Sequence, residues 1–221
     1  NDRRIQQGVQ FWQQNESELV RATSTFGVPP EIVVAIIGVE TEYGRNMGKF
    51  SAMEALATLA FDYPPRAPFF RGELEQLLLL ARENGRSPLD YKGSYAGAIG
   101  IPQFMPSSQR RYAVDFDGDG RINLGRSPTD AIGSVARYLN LHGWQAHAPI
   151  AIPAFAHGDP SALLAAGIKP ALPLRELMNQ EITVPDASEA MTGLPTALID
   201  LVAPDAPTEY WAAFDNFYVI T

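Results

Sequence analysis

The chain has 221 residues, 46% hydrophobic and 19% charged. That is the composition of a globular protein with one substantial core, or one core and a small second lobe. Its net charge is −8, from 17 basic and 25 acidic residues. It carries no Lys/Arg stripe, which argues against a nucleic-acid backbone as partner. Cysteine is absent and only three His occur, His142, His147 and His157. Disulfides, thiol chemistry and Cys-based metal sites are thereby excluded, and without an H-E-x-x-H pattern a zinc hydrolase is disfavoured. The longest uninterrupted apolar runs, 32–39 and 77–81, are far too short to span a bilayer. Absence of Cys suits a cytoplasm or a periplasm, and a start at Asn1 with no Met is expected of a processed or trimmed product.

Helical periods dominate up to about residue 146. Residues 11–26 read as one amphipathic helix, and 29–44 as a second with Pro29 and Pro30 in its first turn. Residues 51–61 open on Ser51 with Glu54 three positions on, a capping box. A helix over 69–83 ends at Asn84-Gly85, and 106–114 suffices for two turns. A helix over 130–142 has Ser127 and Asp130 at capping spacing and Gly143 as its stop. After Ala146 half of the 18 prolines separate short β-prone pieces at 150–155, 181–184, 197–202 and 217–221. The pattern predicts a mainly α, α+β protein: a helical region over 1–145, a small, strand-poor, Pro-rich lobe over 146–205, and a return segment over 206–221.

Three segments carry chemistry. Glu40 closes the apolar run Ile32-Val33-Val34-Ala35-Ile36-Ile37-Gly38-Val39. On a helix, Ile32, Ile36 and Glu40 lie one turn apart, which predicts a carboxyl in the middle of a core-facing stripe. Desolvation there raises a carboxyl pKa, and an acid still protonated near neutral pH can serve as a general acid. Glu42 lies about 200° further round the helix and is not equivalent. The alternative is a Glu at a helix end that bends out to solvent.

The second segment is Gly93-Ser94-Tyr95-Ala96-Gly97-Ala98-Ile99-Gly100-Ile101-Pro102-Gln103-Phe104-Met105-Pro106-Ser107-Ser108. Its small residues let backbone approach a ligand or another element closely. Ser94, Tyr95 and Gln103 offer hydroxyl, aromatic and amide groups suited to a sugar's hydroxyl and N-acetyl groups. A tightly packed turn with incidental polar residues is the alternative.

The third is Asp115-Phe116-Asp117-Gly118-Asp119-Gly120-Arg121-Ile122-Asn123. Acids at positions 1, 3 and 5 with Gly at 6 match the first part of an EF-hand calcium loop. Position 12 is Arg126 in place of Glu, and Asp130 is a later acid that could close the site. The alternative is a solvated Asp/Gly-rich turn.

Taken together the segments resemble the membrane-bound lytic transglycosylase B family of peptidoglycan-cleaving enzymes. The match runs through Gly38-Val39-Glu40-Thr41-Glu42-Tyr43-Gly44-Arg45, Asn46-Met47-Gly48-Lys49, and Ala55-Leu56-Ala57-Thr58-Leu59-Ala60-Phe61-Asp62-Tyr63-Pro64. It continues in order through 93–108, 112–123 and 130–136, and through Asn216-Phe217-Tyr218-Val219-Ile220-Thr221. It is weak across about 146–205.

The resemblance implies a lysozyme-like helical core with an additional helical part and a small C-terminal β-containing lobe. It implies cleavage of the glycan strand between N-acetylmuramic acid and N-acetylglucosamine without consumption of water. Glu40 would act as acid and then as base, leaving a 1,6-anhydro end. Ser94, Gln103 and Tyr218 match cleft positions, and Tyr95 and Asn216 complete the candidate substrate-binding set. Asp115, Asp117, Asp119, Arg121 through its carbonyl, and Asp130 match the family's calcium loop, so structural Ca2+ and no organic cofactor are expected. Peptidoglycan strands are the expected partner, with other cell-wall enzymes as candidates. The expected location is the periplasm of a Gram-negative bacterium, soluble or lipid-anchored. A hydrolytic muramidase on the same scaffold and a non-catalytic calcium-stabilised glycan-binding module remain alternatives. A regulatory EF-hand sensor is disfavoured, because there is a single loop with no paired second one.

Overall fold

The computed structural model describes residues 2–221, which divide into two compact units, Asn1–Leu141 and His142–Thr221. The first unit is helical. It contains α1 (Asp2–Gln14), α2 (Glu16–Phe26), α3 (Pro30–Thr41), β1 (Phe50–Ser51), α4 (Ala52–Asp62), α5 (Ala67–Glu83), β2 (Lys92–Gly93), α6 (Pro106–Tyr112) and α7 (Pro128–Leu141). The single helix predicted over 11–26 is two helices. The Asn15 side chain donates to the Phe11 carbonyl at 2.8 Å, a local bond that competes with the helical ladder and breaks it there.

The predicted caps form where their spacing places them. Ser51 Oγ accepts from Glu54 N–H, and Ser127 Oγ accepts from Asp130 N–H at 3.1 Å. α4 and α5 pack on each other through Leu56, Ala60, Phe70, Leu77 and Leu80, with Tyr91 and Ile99 closing the cluster. α7 buries Ala131, Ile132, Val135, Ala136 and Leu139 and packs against α2 and α3. Full burial of one such aliphatic side chain is worth about 1.5–3 kcal/mol.

α3 ends in two consecutive residues of left-handed backbone, Glu42 (φ 50°) and Tyr43 (φ 64°). Its last helical residue is Thr41, so Glu42 lies past the helix and not on its far face. The chain folds back so that the Tyr43 ring covers α3 and α1. A Cβ on Gly38 or Gly8 would come within 2.6 Å of its hydroxyl, which donates to Arg4 O at 3.2 Å.

The second unit contains β3 (Ala151–Ala156), α8 (Ser161–Ala165), β4 (Leu172–Pro173), α9 (Leu174–Met178), β5 (Ile182–Thr183), β6 (Pro195–Ala203), β7 (Ala206–Ala213) and α10 (Asp215–Ile220). Its antiparallel sheet has the order β4-β6-β7-β3-β5 and covers a core of Leu174, Leu177, Val184, Leu198, Ala212 and Phe214. The lobe is therefore richer in strand than expected. Residues 206–213, assigned on sequence to a return segment, form β7 between β6 and β3. Pro207 hides this strand from a pattern reading. It is tolerated because it falls at the irregularity between the Leu201↔Glu209 and Ala203↔Ala206 pairs, where the ladder is already interrupted. The predicted strand over 217–221 is helix α10 as far as Ile220. Its β-prone residues lose to tertiary context, because β7 already has β6 on one side and β3 on the other.

Candidate functional site

Glu40 lies at the end of α3, whose buried face is Val33, Val34, Ile37, Gly38 and Thr41. Ile32 and Ile36 are only half-buried and Glu40 is exposed. The Ile32-Ile36-Glu40 row therefore borders the core face, a correction to the central position expected. The centre of that face runs through Val33, Ile37 and Thr41, one residue round. The carboxyl still loses enough water to matter. Desolvation alone lifts its pKa above the ordinary value, and it is the only carboxyl shifted upward among the described residues. Glu42, the neighbouring acid, is held 3.4 Å from Arg4.

The residue after Glu40 connects the helix to the small-residue segment. Thr41 is buried, and its Oγ1 donates to the Ile101 carbonyl at 2.8 Å and accepts from Gly44 N–H at 3.0 Å. Within the segment Ser94 forms a compact turn: its carbonyl accepts from Gly97 N–H, and its Oγ accepts from the amides of Ala96 and Ala98. The hydroxyl proton is thereby left to donate elsewhere. Tyr95 is 76% exposed, a free aromatic face beside that turn. Gln103 has left-handed backbone (φ 50°), and its Nε2 donates to Gly100 O at 2.9 Å and to Met47 O at 3.2 Å. Its amide oxygen keeps its acceptor capacity.

The glycines here serve internal packing. A Cβ on Gly97 would lie 2.5 Å from Leu56, and one on Gly100 2.8 Å from the Leu124 carbonyl. Close approach of a sugar to these backbones is therefore not what requires glycine. On that point the packed-turn alternative describes the segment.

In the Asp-rich loop, carboxylate oxygens of Asp115, Asp117 and Asp130 lie within 4.8 Å of one another. Asp130 is fully buried and accepts from the amides of Phe116 (2.8 Å) and Asn123 (2.7 Å), which shapes the loop around it. Asp115 accepts from Gly118, Asp119 and Gly120 amides. Ser127 donates to Asp117 at 2.8 Å, and that bond is the main cause holding the Asp117 carboxyl below its ordinary pKa. Asp119 stands outside the converged trio, with Oδ1 accepting from Arg121 N–H. Phe116 anchors the loop: Arg21 lies 4.0 Å over its ring, and a Cβ on Gly133 of α7 would strike it. Hard oxygen donors converging on one point suit Ca2+, so the residues fit that ion.

Two candidates lie in the second unit. Tyr218 on α10 is exposed. Asn216 is fully buried, accepting from Gln145 N–H at 2.8 Å and donating to the carbonyls of Gln145 (2.8 Å) and Ala148 (3.1 Å). It pins the turn after Trp144 from a fully buried position, where the expectation had it facing a substrate.

Three supporting roles were not anticipated. Thr41 gave no sign, because its partner is 60 residues away. Glu73 is buried and accepts from Ser107 N–H and Oγ, capping α6 from α5. Ser127 was flagged as a cap by its spacing, but its bond to Asp117 was not.

A helical unit with an acid of raised pKa beside a polar, small-residue segment is accompanied by a family match. All 221 residues match the transglycosylase SLT domain family, and the chain belongs to it. The α+β fold is that of lytic transglycosylases. The chain is 48% identical over 222 residues to the membrane-bound lytic murein transglycosylase B of Escherichia coli (strain K12), covering 98% of this chain and 58% of that protein. It thus spans less than two thirds of that relative's length. The soluble lytic transglycosylase SltB1 of Pseudomonas aeruginosa superposes with a TM-score of 0.90 at 48% identity, over 100% of this chain and 72% of that one. The Escherichia coli lytic transglycosylase Slt35, solved in complex with calcium, superposes with a TM-score of 0.86 at 44% identity, over 99% of this chain and 68% of that one.

Proposed function

We propose that this chain is a peptidoglycan lytic transglycosylase that cleaves the β-1,4 bond between N-acetylmuramic acid and N-acetylglucosamine and leaves a 1,6-anhydro end. The observation that carries the reading is Glu40: the one carboxyl among the described residues raised by desolvation, on the residue next to the Thr41–Ile101 tether that holds α3 to the segment between Ser94 and Gln103. Membership of the family supports it.

In this mechanism Glu40 enters protonated and gives its proton to the glycosidic oxygen as the bond breaks. The resulting carboxylate takes the proton of the muramyl C6 hydroxyl, whose oxygen closes on C1. One carboxyl suffices because the nucleophile belongs to the substrate, whereas ordinary glycosidases flank the bond with two. Engagement of Glu42 with Arg4 agrees with a one-acid scheme. Ser94 through its free hydroxyl proton, Gln103 through its amide oxygen, and Tyr95 through its exposed ring would bind the sugars; Tyr218, exposed on α10, is a separate candidate for sugar contact.

Asp115, Asp117 and Asp130 would hold Ca2+, with Asp119 and the Arg121 carbonyl as further donors. The ion would neutralise converging carboxylates and clip the loop to α7. A peptidoglycan partner would put the protein in the periplasm, soluble or lipid-anchored. Mass spectrometry of the glycan products tests the reading. Ends lighter by one water than the hydrolytic muropeptide are expected, and products of full hydrolytic mass would overturn it in favour of a muramidase.

A further inference from the structure

Leu124 follows directly on the Asp-rich segment, and its carbonyl accepts from Ile101 N–H at 2.8 Å. Both residues are buried, Leu124 at 2% and Ile101 at 5% exposure. The two backbones are pressed together there: a Cβ on Gly100 (φ 77°) would lie 2.8 Å from the same Leu124 carbonyl. Leu124 is held from the loop side as well, because Asn123 N–H donates to the buried Asp130 carboxylate at 2.7 Å. Asp130 belongs to the converging trio of acids.

Gly100 and Ile101 in turn hold two parts of the candidate site. The Ile101 carbonyl accepts from Thr41, the residue after Glu40, and Thr41 Oγ1 accepts from Gly44 N–H. The Gly100 carbonyl accepts from Gln103 N–H at 3.2 Å and from Gln103 Nε2 at 2.9 Å. Packing runs parallel to these bonds, since a Cβ on Gly44 would lie 3.3 Å from Ile101 Cγ1. A continuous run of contacts thus leads from Asp130 through Asn123, Leu124 and Ile101 to Thr41.

Such a run carries coupling only where one element on it has two states. The loop is that element. Residues 117–123 are exposed, and segments of that kind open locally more readily than a core. An open loop releases Leu124, and with it the Ile101 amide. An ion that binds only the closed loop suppresses the opening by mass action.

We propose that the Asp-rich loop is a positioning element for Glu40. With Ca2+ bound it keeps Leu124 on Ile101, and Ile101 and Thr41 keep the end of α3 in register with Gln103. This rests on the readings of Glu40 as the acid and of the loop as a calcium site given above. Calcium then acts on the rate of cleavage by folded molecules as well as on stability.

Residue-resolved amide hydrogen exchange, in chelator and at a hundred times the calcium Kd, tests this. In chelator the Ile101 and Asn123 amides open together, with little denaturant dependence and far more often than that of Leu77, buried in α5. Calcium slows both by about a hundredfold, the mass-action factor at that concentration. Asp117→Ala loses this response. Cleavage of purified peptidoglycan, measured well below melting, is faster with calcium by about two- to thirtyfold. Thr41→Val, which cuts the run beyond Ile101, keeps the Ile101 exchange response and loses the calcium effect on rate.

An Ile101 amide that exchanges only with Leu77, by global unfolding, makes calcium a general stabiliser and overturns the proposal. So does a calcium effect on rate that survives Thr41→Val. If Asn123 responds to calcium and Ile101 does not, the calcium site stands and the positioning role falls. If no amide responds, both fall. If the amides respond as expected but Glu40→Gln cleaves normally, the acid reading falls and takes the positioning role with it.

Discussion

Thr41 Oγ1 reaches the carbonyl of Ile101 at 2.8 Å across 60 residues of sequence. The bond joins the end of the helix that carries Glu40 to the middle of the segment that carries Ser94 and Gln103. It also buffers a demanding piece of backbone, since the residues that follow, Glu42 and Tyr43, are both left-handed. Thr41→Val keeps the shape but leaves the Ile101 carbonyl and the Gly44 N–H without their partner. It should lower unfolding free energy by about 1–3 kcal/mol, with Thr41→Ser retaining most of it. Denaturant unfolding of the pair checks this, and equal stability of the two variants would show that the hydroxyl is not the tether.

Glu40→Gln keeps the side chain's shape and removes its proton. Glycan cleavage should fall by about two to four orders of magnitude, the usual scale for acid/base catalysis, while glycan binding survives. Glu42→Gln, which loses only an exposed contact to Arg4, should be mild. Near-normal turnover in Glu40→Gln sinks the mechanism.

The raised pKa of Glu40 fixes two signs. The rate of cleavage should fall as pH rises through its folded-state value, because the acid form is the reactive one. Stability should move in the same direction. The folded state binds more protons than the unfolded state between the ordinary carboxyl value and the raised one, so stability is lost as pH rises across that window. Glu40→Gln should therefore be more stable than the parent at pH 7 and equal to it at pH 3. Melting curves at the two pH values decide, and a reversed order would mean that Glu40 is not desolvated.

Calcium should raise the melting temperature by mass action. Asp117→Ala, which removes an exposed member of the converged trio, should abolish that rise with little change in the calcium-free protein. Asp119→Ala should weaken it less, because Asp119 lies outside the trio. Asp130→Ala should also destabilise the calcium-free protein, since its buried carboxylate holds the Phe116 and Asn123 amides. A melting curve indifferent to millimolar calcium and to chelator refutes the site.

In the small-residue segment each group has a different role. Gly97→Ala should destabilise by about 1–3 kcal/mol from left-handed backbone alone (φ 86°), with the clash on Leu56 added to it. Ser94→Ala and Gln103→Ala should lower stability modestly, since each loses two hydrogen bonds to backbone groups. They should also slow cleavage per folded molecule by about five- to a hundred-fold if the hydroxyl proton and the amide oxygen serve the substrate. Stability loss with unchanged specific activity would remove both from the cleft.

What was legible in the sequence is what short-range physics decides. Ser51 with Glu54 and Ser127 with Asp130 are caps closed within three residues, and they form where they were read. Pro30 opens α3 because a missing N–H costs nothing in a first turn. The alternation of Asp with Gly at 115–120 bends the loop through its own amides. The sequence also carried the family, through several segments matching in order, and with it the expectation for Glu40. Tertiary structure alone decided the rest, because the partners are far apart along the chain. β7 is a strand because β6 and β3 are there to pair with it, and Pro207 escapes penalty only through an irregularity in that pairing. Residues 217–220 have strand-forming side chains yet end as helix, since no sheet position is left beside β7. Asn216 reads as a polar group for a ligand until its amide is found spent on Gln145 and Ala148, 71 and 68 residues away. Periodicity placed Glu40 on the apolar side of its helix. Which residues of that side are covered was set by what packs on it, and the cover stops one residue short, at Thr41.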